Sequence, residues 1–227
     1  MKKIILLILL LIPISVYGLE LPKTYSDIVM IYDLTDDEVL LEKNSEKKTN
    51  IASLTKIMTT ITALELNTDL SKKVKITEEM LAGIPSDASI AHLNVGEYYT
   101  LEDLLYASIL PSGADATQSI AVSTSGSVAN FVKEMNTLAQ KIGVTNTNFV
   151  NVTGLDIDNH YSNAKDVMKI LKYALGNPTF KTIYCTKEYI LSNNNQKVEA
   201  TVKMYSQKMN IDISRIKGSK TGYTSKA

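Results

Sequence analysis

Three features of the 227-residue chain predict an α+β fold. Strand-forming residues cluster near its start, over 28–41. Helical segments fill the middle, over 53–175. Alternating, strand-like residues return over 187–213 and again around Lys220. Strands at both ends with helices between them predict an antiparallel sheet built from both chain ends and packed on a helical region.

The elements follow in order. Lys2 and Lys3 precede an unbroken apolar run over 4–12, too short to span a bilayer. Pro13 and Ser15 break the run, and Gly18 precedes polar Glu20. This pattern is that of a secretory leader cut after Gly18, leaving one extracytoplasmic domain over 19–227. Residues 28–34 (IVMIYDL) read as a strand, Thr35-Asp36-Asp37 as a turn and 38–41 as the return strand. From Ser53, Ile57, Ile61 and Leu64 recur at helical spacing through about Asn67, and the polar residues among them are mostly threonines. Thr100 and Asp103 form a capping-box pattern opening a helix that carries Leu101, Leu104, Leu105 and Ile109 and stops before Pro111. Residues 115–122 read as a helix, 128–142 as an amphipathic helix capped by Gly143, and 164–175 as a helix closed by Gly176 and Pro178. Over 187–213 the alternation reads as strands around a turn at Asn193-Asn194-Asn195. Lys220-Thr221-Gly222-Tyr223 reads as a further strand.

Composition narrows the function. Apolar content of 44% and charged content of 21% fit a soluble domain with a sizeable core. Basic and acidic residues balance at 24 each, which argues against a nucleic-acid partner. Arg215 is the only arginine, so bidentate clamps on carboxylate or phosphate are nearly unavailable. Cys185 is the only cysteine, which rules out an intrachain disulfide and a CxxC site and reads as a small hydrophobe. No His-x-x-x-His pair points to zinc, and no cofactor or metal is implied. The acidic cluster Asp33, Asp36, Asp37 and Glu38 lacks the ligand spacing of a calcium loop.

A hydrolase needs a nucleophile, a base and oxyanion donors. There is no G-x-S-x-G elbow. His92, in an expected hairpin, and His160, in a polar loop, read as surface or structural. Lysine remains as the base. Ser-x-x-Lys sets a hydroxyl and an amine one helical turn apart on one face, and a buried lysine loses its charge readily enough to accept the serine proton. The chain holds four such pairs: Ser45/Lys48, Ser53/Lys56, Ser162/Lys165 and Ser214/Lys217. Only Ser53 and Lys56 lead into a strongly apolar helix; Ser53 also reads as an ordinary helix N-cap. Lys220-Thr221-Gly222 offers a cation for a substrate carboxylate, a hydroxyl, and close backbone approach; its charge would also help keep Lys56 neutral. Ser112, in Pro111-Ser112-Gly113 between two helices, fits either a turn residue or a proton relay between Lys56 and a leaving group.

Ser53-Leu54-Thr55-Lys56, Ser112-Gly113-Ala114 and Lys220-Thr221-Gly222 stand in the order of the three motifs of serine penicillin-binding proteins and serine β-lactamases. The flanks IASLTKIMT, LEDLLYASILPSGADAT, FVKEMNTLAQKIGVTNTNF, NVTGLD and SKTGYTSKA resemble the low-molecular-mass D-alanyl-D-alanine carboxypeptidases, from about residue 26 to the end. The resemblance implies a β-lactamase/transpeptidase-like fold. It implies that Ser53 attacks the D-Ala-D-Ala carbonyl of a peptidoglycan stem peptide and that Lys56 is the base. Ser112 would assist proton transfer, and Lys220 and Thr221 would hold the substrate carboxylate. Gly222 would admit the ligand, and the amides of Ser53 and Tyr223 would form the oxyanion hole. It also implies acylation by β-lactam antibiotics.

Two departures stand out. The middle motif of the family usually ends in Asn; here Ala114 cannot make those hydrogen bonds, so reduced or altered activity is expected rather than none. The chain also stops five residues after Gly222, where relatives continue with further strands and a membrane-binding tail. A domain incomplete at its C-terminus is therefore expected, with membrane attachment only if a tail exists beyond Ala227. Ala114 and that ending leave a non-catalytic penicillin- or cell-wall-binding module as an alternative. A class A β-lactamase would need an acidic residue to activate the deacylating water, and Asp156 and Asp158 read instead as structural.

Overall fold

The computed structural model describes residues 24–227, so the leader expected over 1–18 lies outside the described residues. The described chain forms two compact units. The first, ending at Asn44, is a hairpin: β1 (Val29–Asp33) runs antiparallel to β2 (Glu38–Lys43), with a register irregularity between Ile31 and Tyr32. Asp33 closes the turn by accepting the amides of Thr35 (2.7 Å) and Asp36 (3.2 Å). Lys43 and Asn44 tie the return strand to the carbonyls of Ser26 and Asp27, each at 2.8 Å.

The second unit, from Ser45, holds the expected helical block. Its axis is α1 (Thr55–Leu66), in which every residue from Thr55 to Ala63 is buried. A helix buried all round must satisfy its polar side chains internally, and this one does so in part, since the Thr60 and Thr62 hydroxyls have no hydrogen-bond partner among the described residues. Thr59 does so by donating to the Val152 carbonyl (2.7 Å), and Thr55 pairs with His160 (2.8 Å). α2 (Glu78–Leu81) and strands β3 (Lys73–Lys75) and β4 (Tyr98–Thr100) follow. Around α1 pack α3 (Leu101–Ile109), α4 (Ala114–Ser125), α5 (Val128–Ile142), α6 (Ala164–Leu175) and α7 (Pro178–Cys185). Leu104, Leu105, Ile120, Phe131, Met135 and Phe180 fill the core between them. The Thr100/Asp103 capping box is formed, and Gly143 ends α5 at φ +79.

The chain's second half departs from expectation in three places. Pro178 opens α7 rather than closing α6: it occupies the first turn, where its missing N–H costs nothing, and Asn177 caps it. Residues 188–190 and 197–199 do form the short antiparallel pair β5 (Glu188–Ile190) and β6 (Lys197–Glu199), but the expected strand beyond is α8 (Thr201–Met209). Alternation there reflected a helix with no buried residue, on which the core imposes no helical period. Among the described residues the ladders are two-stranded: β1–β2, β3–β4 and β5–β6. The segment around Lys220 joins none of them, because no neighbouring backbone pairs with it. His92 likewise lies in coil at φ +60, not in a hairpin.

One buried carboxylate fastens the β5–β6 hairpin to the helical block. Asp103 accepts the Thr100 amide (3.0 Å), the Ser192 amide (2.9 Å) and the Ser192 hydroxyl (2.6 Å), while Tyr189 stacks on Tyr106 with centroids 3.8 Å apart. Thr100→Ala removes only a cap and is expected to cost about 1 kcal/mol. Asp103→Ala also strands the Ser192 donors and is expected to cost about 3 kcal/mol. Urea denaturation of the two variants measures the difference.

Candidate active site

Ser53 is not the helix N-cap. It sits in a single 3-10 turn, Ala52–Leu54, feeding into α1, and its side chain makes no capping bond. Ala52 before it has φ +44, a left-handed conformation that costs a non-glycine residue about 1–3 kcal/mol. Lys56 follows one turn later and is only 2% exposed. Its Nζ lies 2.9 Å from Ser53 Oγ and donates to the Thr153 carbonyl at 2.7 Å. Burial holds its pKa well below the ordinary lysine value of 10.5. The nearby charge of Lys220 pushes the same way, and Asp115 opposes. When neutral, the amine keeps an N–H for Thr153 and can turn its lone pair to the Ser53 hydroxyl.

Ser112 stands at the junction of α3 and α4, buried and left-handed at φ +65. Lys220 Nζ donates to Ser112 Oγ at 2.8 Å and to the Thr221 carbonyl at 2.7 Å. Ser112 is therefore hydrogen bonded to Lys220, not to Lys56. Burial brings the pKa of Lys220 down to about 7. Gly222 lies against the Ser53 turn: a β-carbon there would stand 3.1 Å from the Ile51 carbonyl oxygen and 3.4 Å from the Ser53 amide nitrogen. Tyr223 is 86% exposed. Ser53, Lys56, Ser112, Thr221, Gly222 and Tyr223 all line one cleft of about 900 Å³. The three motifs thus converge, although more than a hundred residues separate the second from the third.

Ala114 also lines the cleft. Asp115 does not take the place of an amide there. Its carboxylate is committed to the backbone N–H groups of Ala91 (2.8 and 3.0 Å) and Leu93 (3.1 Å), pinning the 91–93 stretch to α4.

The other Ser-x-x-Lys pairs lie apart from this chemistry. Ser162 pairs with Thr147 (2.7 Å), Lys165 with Glu46 (2.7 Å), Lys48 lies over the Tyr161 ring, and Lys217 is exposed.

The residue types of the 151–156 loop point to no catalytic role, and Asp156 reads there as structural. The loop supplies the Thr153 carbonyl to Lys56, and Asp156 accepts from Thr224 (2.9 Å) in the segment beyond Lys220. No side-chain pattern announces a catalytic-site carbonyl. The nearest signal is Gly154, at φ +85, whose missing side chain lets it sit under the Ala52 carbonyl. His160 is structural, as expected, but buried rather than on the surface. Its Nδ1 accepts from the Val150 amide at 3.1 Å, which leaves Nε2–H to face Thr55. Burial lowers its pKa to about 4, against a smaller opposing pull from Asp156. It is therefore a neutral strut near neutral pH.

The fold matches solved structures closely. A variant of the Streptomyces K15 DD-transpeptidase superposes with a TM-score of 0.83 at 29% identity, covering 91% of this chain and 84% of that one. Penicillin-binding protein 5 from Haemophilus influenzae gives 0.80 at 30% identity, covering 92% of this chain and 60% of that one. This is the fold of the penicillin-binding class of serine peptidases. Within it, the D-alanyl-D-alanine carboxypeptidase family model matches residues 17–227, and the chain belongs to that family. Carboxypeptidase DacF of Bacillus subtilis is 33% identical over 200 residues, 84% of this chain and 49% of that protein. Carboxypeptidase DacA of Haemophilus influenzae is 31% identical over 219 residues, 93% and 53% respectively. The chain spans about half the length of the curated relatives it matches.

At Gly154 an added β-carbon would lie 1.8 Å from the Ala52 carbonyl oxygen. Gly154→Ala is therefore expected to displace the Ser53 turn, costing about 3 kcal/mol or more in stability and most of the reactivity of Ser53. Denaturation and labelling of the folded fraction by penicillin would check both.

Proposed function

We propose that this chain carries the acylation machinery of a serine D-alanyl-D-alanine carboxypeptidase acting on peptidoglycan stem peptides. The observation that carries the proposal is the 2.9 Å approach of the desolvated Lys56 amine to Ser53 Oγ. Lys56 takes the Ser53 proton as Oγ bonds to the carbonyl carbon of the penultimate D-alanine. The amides of Ser53 and Tyr223 receive the oxyanion, each donor being worth a few kcal/mol in enzymes of this kind. The C–N bond then breaks, and the departing D-alanine amine takes, by way of Ser112, the proton that Lys56 had accepted, so Lys56 is a neutral amine again for the water step and Lys220, bonded to Ser112 at 2.8 Å, keeps the charge that holds the carboxylate. Water hydrolyses the acyl-enzyme, releasing the shortened peptide and regenerating Ser53. The substrate carboxylate is held by protonated Lys220 and Thr221, with Gly222 allowing close approach. A β-lactam would follow the same first step, with its leaving nitrogen tethered in the opened ring. The methyl of Ala114 leaves the substrate without one amide partner, and weaker turnover is expected.

The leader reading of 1–18 places this activity in the cell envelope. Among the described residues no helix is long and apolar enough to cross a membrane.

Fluorescent penicillin is expected to label the protein covalently, and Ser53→Ala to abolish labelling. D-alanine release from a diacyl-Lys-D-Ala-D-Ala peptide would separate a carboxypeptidase from a module that only binds penicillin, which would label without releasing D-alanine.

A pH dependence follows from Lys220. Its cation binds the substrate carboxylate, so kcat/KM is expected to fall as pH rises through about 7 in the free protein. Lys220→Arg keeps the charge to far higher pH. It should remove that alkaline limb while lowering the maximum, and a limb unchanged in the variant would assign it elsewhere.

A further inference from the structure

A closed ring of hydrogen bonds leaves α1 at Thr55 and returns to it at Lys56. Thr55 Oγ1 meets His160 Nε2 at 2.8 Å. His160 Nδ1 accepts from the amides of Val150 (3.1 Å) and Asn151 (3.4 Å). Asn151 then folds the loop onto itself. Its Oδ1 accepts from the Gly154 amide (2.7 Å), the Thr153 amide (3.1 Å) and the Thr153 hydroxyl (3.3 Å), and its Nδ2 donates to the Leu155 carbonyl (2.8 Å). The loop so closed delivers the Thr153 carbonyl to Lys56 at 2.7 Å.

We propose that Asn151 is a positioning residue for acylation: by closing the 151–155 loop it fixes the carbonyl that orients the Lys56 amine toward Ser53. This rests on the reading of Ser53 and Lys56 as nucleophile and base. A neutral amine has two N–H bonds and one lone pair, and it rotates freely about Cε–Nζ. A carbonyl fixed on one N–H restricts that rotation, leaving the lone pair available to the hydroxyl at 2.9 Å. Without the carbonyl, productive and unproductive rotamers compete. Asn151 bonds to no other described segment through its side chain, only to the loop itself, so its role is local. The same loop sets Gly154 beneath Ala52 and Asp156 beside Thr224, so its closure also holds the turn carrying Ser53.

The charges around Lys56 come from several elements. Lys220 lowers its pKa and Asp115 of α4 raises it. In the loop region, Asp156 bears on His160, which burial keeps neutral. No carboxylate now stands at position 151. Asn151→Asp keeps the acceptor oxygen that gathers the Thr153 and Gly154 amides, but it adds a negative charge behind the carbonyl. That charge favours the ammonium form of Lys56.

The test is the rate of acylation by fluorescent penicillin, measured from about pH 5 to about pH 9, on wild type, Ser53→Ala, Asn151→Ala and Asn151→Asp. Asn151→Ala is expected to acylate at least tenfold more slowly across the whole range. Its affinity for a substrate carboxylate, read as KM for the D-Ala-D-Ala peptide, should hold because Lys220 and Thr221 are untouched. Asn151→Asp should recover much of the rate at high pH, with the acid limb moved to higher pH. Wild-type rates and an unmoved acid limb in both variants would overturn the inference while leaving the Ser53 reading intact. If wild type itself is not acylated through Ser53, it is the underlying reading that has failed. Should Asn151→Ala not fold, the displaced acid limb of Asn151→Asp decides by itself.

Discussion

The site depends on one unfavourable placement, a lysine buried at 2% exposure inside the core helix. A buried ammonium without a carboxylate partner would be expensive, and the group relieves the cost by giving up its proton. Among the described residues no carboxylate bonds to Lys56. Its described partners are a hydroxyl and a carbonyl, both of which suit a neutral amine. Asp115 lies near enough to pull toward the charged form, yet its carboxylate is absorbed by the amides of the 91–93 stretch. The anion that bears on Lys56 is thus committed to backbone amides, and the amine beside the serine is left with no ion-pair partner among the described residues.

The rest of the cleft is arranged around that choice. The 151–156 loop faces Lys56 with Thr153, supports the Ser53 turn with Gly154 and holds the segment after Lys220 through Asp156. Two residues flanking the chemistry, Ala52 and Ser112, adopt left-handed backbone conformations that alanine and serine ordinarily avoid. Strain at such positions persists only when surrounding packing over-determines it. Here the Gly154 contact and the burial of Ser112 supply that packing. In the proposed mechanism the two lysines divide the work by environment: burial and the charge of Lys220 hold the Lys56 pKa far down and suit it to a base, whereas Lys220, brought to about 7, bonds Ser112 and suits an anion.

What could be read from the sequence followed the physics of each segment. Helices α3, α5 and α6 carry strong caps, and α5 and α6 a one-sided apolar stripe, so Thr100, Gly143 and the Leu101–Ile109 pattern located them well. Ser53 and Lys56 stood out because only their pair enters a strongly apolar helix. The misses have equally local causes. α8 has no fully buried residue and packs only Val202 against the core, so no core-facing stripe marks it as a helix. Pro178 breaks a pattern from behind but opens one ahead, and Asn177 before it was the cap that told the two apart. Strands β3 and β4, three residues each, pair across a stretch that contains α2, so no turn signal marks them as Asn193-Asn194-Asn195 marks β5 and β6. The Thr153 carbonyl was invisible because every residue has one. His160 gave no sign of burial, since its partners, Thr55 and the amides of Val150 and Asn151, meet it only in the folded chain.

The protonation state of Lys56 can be observed directly. Lysine labelled with ¹³C at Cε, assigned by comparison with Lys56→Met, reports each amine's titration in the NMR spectrum of the intact protein. The account predicts that the Lys56 resonance is that of a free amine near pH 7 and titrates well below the ordinary value of 10.5. A Lys56 signal that remains ammonium through neutral pH and titrates with the surface lysines would contradict it.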